Sequence, residues 1–169
     1  MLDELRKSKQ GRIVNLTSNI YVRGKFDARN LQGERRFSTL AAYASSKLFV
    51  IMSSIELAER MRGANVTVNA VHPGIVRTQM MLGAPGLFRA LSYLALPFAL
   101  SPQEGAAMSV YVATSTAFEG VSGKYFTGGK VAAVRNRFNT PQNRERLWTI
   151  SMRAVQQGPM ESKRELVVA

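Results

Sequence analysis

The chain has 169 residues, 46% of them hydrophobic and 20% charged, the balance of one globular domain with a substantial core rather than of a disordered segment. It has no cysteine and a single histidine, which excludes disulfides and thiolate metal sites and leaves too few ligands for a zinc centre. Lys and Arg number 23 against 11 Asp and Glu, a formal charge of +12, so an anionic partner has to be considered.

The basic residues lie singly or in short groups, at residues 6–9, at Arg35 and Arg36 and at residues 144–146. None forms a run of the length that marks a nucleic-acid-binding arm, so nucleic acid is not the expected partner. A solvated basic surface that favours acidic membranes or phosphorylated cofactors is the simpler expectation. Residues 1–10 alternate acids and bases without an apolar core, which is not a secretory signal, and the expected location is an intracellular, reducing compartment.

Residues 2–9 read as the last turns of a helix, with Gly11 as its stop. Residues 12–18, Arg-Ile-Val-Asn-Leu-Thr-Ser, read as a strand whose near-continuous apolar character suits a buried parallel position, with Ser18 at its C-terminal end. Residues 19–40 are polar, basic and punctuated by Gly24, Asn30 and Gly33. They predict a long irregular connection holding a short helical turn, and loops of that length are often functional. A helix is predicted over 39–62, with Leu48, Met52, Ile55 and Leu57 or Ala58 as its apolar stripe and Gly63 as its stop. Residues 66–72 form a second β-rich run, halted by Pro73-Gly74. Strand, helix, strand is a parallel crossover.

Residues 86–100 are the most apolar stretch, short for a bilayer span of about 20 residues and interrupted by Arg89 and Pro97. They read as a helix over an apolar pocket or as a segment dipping into a membrane interface. Ser101-Pro102-Gln103-Glu104 combines an N-cap, a first-turn proline and a capping-box glutamate, and opens a helix to about residue 115. A third strand is predicted over 122–126 between Gly120, Gly123, Gly128 and Gly129. Thr140-Pro141 caps a last helix carrying Leu147, Trp148, Ile150 and Met152, with Trp148 in the core, and residues 158–169 form a flexible tail. The sum is an α/β layer structure with parallel strands over residues 1–157.

In open parallel sheets, ligands bind beyond the carboxyl ends of the strands. Three features converge there: Ser18 after the first strand, Tyr43 and Lys47 at the start of the crossover helix, and residues 73–78 after the second strand. Residues four apart on a helix share a face at about 5–6 Å, so Tyr43-Ala44-Ser45-Ser46-Lys47 sets a phenol beside an ammonium, and a nearby positive charge favours the phenolate form. The spacing alone is common, and an ordinary surface pair would look the same. Ser18 likewise reads alone as a strand-end turn residue, and Thr17 beside it leaves open which hydroxyl faces outward. His72 reads as a strand-end packing or hydrogen-bonding residue rather than a catalyst.

Taken together, Asn15-Leu16-Thr17-Ser18, Tyr43-Ala44-Ser45-Ser46-Lys47 and residues 68–78 (Val-Asn-Ala-Val-His-Pro-Gly-Ile-Val-Arg-Thr) resemble the short-chain dehydrogenase/reductase family. Asn30-Leu31-Gln32-Gly33-Glu34, Glu56-Leu57-Ala58-Glu59-Arg60 and residues 120–126 are similar to its retinol-dehydrogenase-like branch. The resemblance implies a Rossmann-like, doubly wound parallel sheet. It also implies a hydride transfer between a nicotinamide cofactor, NADP favoured over NAD, and a hydrophobic carbonyl or alcohol such as a retinoid. Ser18 would then bond the substrate oxygen, Tyr43 would pass the proton, and Lys47 would favour the phenolate and hold the nicotinamide ribose. Backbone at Pro73, Gly74 and Ile75 and the Thr78 hydroxyl would hold the carboxamide, and residues 82–100 would close over substrate.

The family's glycine-rich turn for the dinucleotide phosphates does not precede Ser18. The expectation is therefore the C-terminal portion of such a domain, N-terminally truncated, with an unpartnered edge on the Ser18 strand that invites pairing with another chain or a second copy. The alternative to an enzyme is a non-catalytic interaction module with a basic surface adhering to membrane or nucleic acid.

Overall fold

The computed structural model describes residues 2–77 and 99–156. The expectations placed on Thr78, on the apolar stretch through residue 98 and on the tail from residue 158 lie outside these residues. In chain order the elements are α1 (Leu2–Lys7), β1 (Gly11–Leu16), a 3-10 turn (Asn19–Arg23), α2 (Thr39–Arg60), β2 (Val66–Val71), α3 (Pro102–Thr114), a second 3-10 turn (Thr116–Phe118), β3 (Tyr125–Thr127), β4 (Lys130–Ala132) and α4 (Pro141–Gln156).

The four strands form one sheet in the order β1-β2-β3-β4, with β1, β2 and β3 parallel and β4 antiparallel to β3. β1 and β2 pair over six residues, from Gly11 opposite Val66 to Leu16 opposite Val71. Every residue of β2 is buried, as a central parallel strand requires. Alternation along the strands divides the core between two faces. Val68 packs with Ile13, Leu57 and Ala58 on the α2 face, while Val71 packs with Val14, Met108 and Val112 on the α3 face. The result is the doubly wound α/β architecture, with α2 and α3 on opposite sides of the sheet.

α2 is long and apolar enough to cross a membrane by length and composition, yet Leu48, Ile51 and Met52 are wholly buried in the core. Of the predicted stripe, Leu48 and Met52 are buried and Ile55, Leu57 and Ala58 pack partly buried against the core, while Ala44, Ile51 and Ser54 join the buried face. Asn15 reaches across from β1 to donate to the Ser54 hydroxyl at 2.9 Å, which accounts for two polar groups at this interface. The capping box at Ser101 forms as the sequence predicts: Glu104 N–H donates to Ser101 Oγ at 3.2 Å, and Ser101 N–H to the Glu104 carboxylate at 2.7 Å.

Three readings are corrected. Gly11 opens β1 rather than ending the helix: α1 stops at Lys7, and Gly11 already pairs opposite Val66, where a Cβ would lie 2.8 Å from the Leu5 carbonyl oxygen. The third strand covers 125–127, not 122–126: Ser122 Oγ accepts from Val68 N–H at 3.0 Å and Gly123 N–H donates to the Val68 carbonyl, so this stretch meets β2 through a side chain and a turn. Trp148 is half-buried beneath the Arg60 guanidinium, 5.0 Å from its ring centroid, and the neighbouring Leu147 enters the core instead. The basic link after residue 126 also holds an unforeseen element. Gly128 and Gly129, both at positive φ, make the two-residue connection of the β3-β4 hairpin.

Candidate active site

The site is built where β1 and β2 end and α2 begins. Thr17 is fixed two ways: its N–H donates to the Val71 carbonyl at 2.9 Å and its hydroxyl to the Lys47 carbonyl at 2.8 Å. Thr17 is therefore turned into the fold and buried, while Ser18 is half-buried and extended (φ −146, ψ 149). Ser18 caps the 3-10 turn: its carbonyl accepts from Tyr21 N–H at 3.1 Å and its hydroxyl oxygen faces Ile20 N–H at 3.5 Å, a long contact. Of the two neighbouring hydroxyls, only that of Thr17 is committed to a short bond among the described residues.

The first turns of α2 receive this segment closely. At Gly24, just past the 3-10 turn, a Cβ would stand 2.6 Å from the Ala44 carbonyl oxygen and 2.8 Å from Leu48 Cβ, so only glycine permits the approach. Lys25 N–H donates to Ser45 Oγ at 3.1 Å, and Ser46 Oγ bonds back to the Tyr43 carbonyl at 2.8 Å. On either side of them, Tyr43 and Lys47 are half-buried one turn apart, with Lys47 Nζ 5.5 Å from the Tyr43 ring centroid. Two of the three residues between tyrosine and lysine, Ala44 and Ser45, thus lock the helix to the segment that follows Ser18.

At the end of β2, His72 is buried and its N–H donates to the Phe126 carbonyl at 2.8 Å. Burial pushes the imidazole below the usual histidine range, partly opposed by its bond to the Thr17 backbone, and Nδ1 has no partner among the described residues. This fits the hydrogen-bonding role expected from the sequence. Pro73 and Gly74 then turn the chain, Gly74 at φ +90, and leave Ile75 half-exposed. The turn is tied down by Leu100: its N–H donates to the Ile75 carbonyl at 2.8 Å and its carbonyl accepts from Arg77 N–H at 2.9 Å.

Ser18, Tyr43, Lys47 and the backbone at Pro73, Gly74 and Ile75 therefore all lie at the carboxyl end of the sheet, just past β1 and β2 or in the first turns of α2, and an ammonium, two hydroxyls and exposed backbone are groups of the kind that would hold the ribose hydroxyls and carboxamide of a nicotinamide nucleoside. Among the described residues no glycine-rich turn opens a helix of the kind that takes a dinucleotide diphosphate. The concavity lined by Glu56, Glu59, Gln142 and Arg144 is separate, roughly 20 Å along α2 from Tyr43 by helical rise.

Two contributors were not foreseen from sequence. Asn69 in β2 donates to the Val121 carbonyl at 2.7 Å and accepts from Lys124 N–H at 3.0 Å, setting the loop ahead of β3. Asn136, beyond β4, binds the 3-10 turn after Ser18. Asparagines aimed at distant backbone leave no periodic signature.

A parallel sheet with this strand-end grouping defines a class, and the sequence agrees with it. Residues 1–84 match the family model for short chain dehydrogenase, and the chain belongs to the short-chain dehydrogenase family. Within it, the likeness runs to retinol dehydrogenases: 38% identity over 151 residues with retinol dehydrogenase 12 of Homo sapiens, and 39% over 161 residues with retinol dehydrogenase 13 of Mus musculus. These alignments take in 89% and 92% of this chain and 48% of each relative, so the chain spans about half the length of the curated relatives it matches. The fold is likewise similar to that of a solved structure of an uncharacterized protein from Mycobacterium Paratuberculosis, with a TM-score of 0.64 at 20% identity over 87% of this chain and 51% of that one.

Proposed function

We propose that this chain carries the catalytic portion of a nicotinamide-dependent oxidoreductase that interconverts an alcohol and a carbonyl on a hydrophobic substrate such as a retinoid. The observation that carries the reading is the bond from Thr17 Oγ1 to the Lys47 carbonyl, which fixes the residue before Ser18 against the helix of Tyr43 and Lys47. In the reductive direction the Ser18 hydroxyl donates to the substrate carbonyl oxygen and the Tyr43 hydroxyl gives that oxygen its proton. Lys47 stabilises the phenolate left behind and would hold the ribose hydroxyls of a nicotinamide cofactor, which when bound would supply the hydride for reduction and take it up in oxidation. In the reverse direction the Tyr43 phenolate takes the alcohol proton. Polarising the oxygen while supplying its proton avoids a free alkoxide.

Backbone at Pro73, Gly74 and Ile75, with the Thr78 hydroxyl, is assigned to the carboxamide. NADP(H) is the first cofactor to try and NAD(H) the second.

A second reading rests on the sheet edge. Among the described residues β1 has a partner on one side only, and Leu16 at its end is 54% exposed. An open parallel edge invites a strand from another chain or a second copy, and with the basic surface it would make an interaction module that adheres to membranes.

Titration of the purified chain with NADPH and with NADH, followed by nucleotide fluorescence and thermal stability together, separates the two. The enzyme reading expects a saturable shift, turnover of hydrophobic aldehydes, and in Tyr43→Phe a fall in turnover of about 100-fold or more with nucleotide binding kept. The module reading expects no shift, salt-sensitive association and indifference to Tyr43→Phe.

A further inference from the structure

We infer that Asn136 is a positioning residue for Ser18, an inference that rests on the oxidoreductase reading above. Its amide nitrogen faces three carbonyls of one turn, Tyr21 at 2.9 Å, Val22 at 3.3 Å and Gly24 at 3.0 Å, so its two N–H groups serve three acceptors with one of them shared. Its oxygen accepts from Phe138 N–H at 2.9 Å, which fixes the amide's orientation, since a flipped amide would turn its oxygen on three carbonyl oxygens. The neighbouring Arg135 N–H donates to the Tyr21 hydroxyl at 3.1 Å, and Tyr21 is 3% exposed, its ring edge-on to Tyr125 at 5.2 Å.

The 3-10 turn is thus held at both ends. Ser18 caps its start, with Tyr21 N–H on the Ser18 carbonyl, and Asn136 grips its finish around Gly24, where the chain presses on Ala44 one residue from Tyr43. Nothing else among the described residues satisfies the Val22 carbonyl. Loosening the grip frees the turn to shift, and Ser18 moves with it relative to the tyrosine on α2. Misplacement of a polarising group by about 1 Å costs on the order of 100-fold in rate.

The test is Asn136→Asp in the full chain. The substitution keeps the shape and the acceptor for Phe138 but aims a carboxylate at the three carbonyls. Amide hydrogen exchange reads the turn directly, and steady-state kinetics read the site. The expected result is exchange at Tyr21 and Gly24 faster by roughly tenfold, with β2 and the middle of α2 unchanged. A kcat lower by roughly 10- to 100-fold should accompany it, with the nucleotide KM within about twofold. Unchanged exchange at Tyr21 and Gly24 overturns the inference, and so does faster exchange with unchanged kcat. If Asn136→Asp loosens the whole protein, Tyr21→Phe, which removes only the acceptor for Arg135, must show the same pattern at smaller size, and a parent-like Tyr21→Phe overturns it. A folded parent protein without turnover rejects the oxidoreductase reading and the positioning role that rests on it, while exchange still reports whether Asn136 holds the turn.

Discussion

Thr17 and Lys47 are joined by a hydroxyl-to-carbonyl bond of 2.8 Å that runs from the end of a strand to the backbone of the helix packed on it. The Lys47 carbonyl lies inside α2 and also serves the helix ladder, so the threonine uses its second lone pair. Thr17→Val keeps the shape and deletes the bond. The expected outcome is a loss of about 1 kcal/mol in denaturant unfolding and a fall in kcat, with Thr17→Ser close to the parent in both. Equal stability and equal kcat in all three proteins would sink the role given to this bond.

At Gly24 the space for a side chain is absent rather than small. Gly24→Ala drives a methyl group against the Ala44 carbonyl and Leu48, neither of which can swing away, as both belong to the buried face of α2. We expect destabilisation of about 1–3 kcal/mol, read as a lowered midpoint in thermal or chemical unfolding. A parent-like midpoint would mean that the turn is not docked on α2 as described.

Asn69 serves two backbone groups of the loop ahead of β3 from a buried position, 3% exposed. Replacing it with leucine strands both partners, at an expected cost of about 1–3 kcal/mol. Asn69→Asp keeps the acceptor for Lys124 N–H but not the donor to Val121. It should fall between parent and Asn69→Leu in the same unfolding series.

His72 makes stability depend on pH on the acid side. Its pKa in the folded protein lies below the ordinary 6.5, so the unfolded chain binds the proton more readily. The associated stability is present above about pH 6.5 and is lost as pH falls through the folded value. Unfolding free energies of the parent and His72→Gln between pH 8 and pH 5 should converge as the pH drops, because only the parent loses this contribution. Parallel curves would refute the assignment.

Where the sequence speaks through periodicity or a local cap, the structure follows it. β1, α2 and β2 were legible because apolar runs and a 22-residue amphipathic stretch have distinct periods, and α3 because Ser101 and Glu104 sit three residues apart. The β4 hairpin was missed although Gly128-Gly129 is a hairpin signal, since three-residue strands are too short to alternate visibly. Trp148 looked like core by its chemistry, but its position on α4 gives the interior to Leu147. Of the candidate site, the motif residues were legible and their supports were not. Whether Thr17 or Ser18 turns inward depends on Lys47 thirty positions away, and the hold on the turn comes from Asn136, 115 positions beyond Tyr21.

That last separation bears on how the molecule is made. A chain synthesised from its N-terminus at about 5–20 residues per second presents Ser18, Tyr43 and Lys47 before Asn136. The hand that steadies the serine's turn emerges only when residue 136 does. For those several seconds the ribosome carries a nascent chain in which Ser18, Tyr43 and Lys47 are present and the turn beside the serine is not yet held, so the registration of these residues waits on a segment made after them.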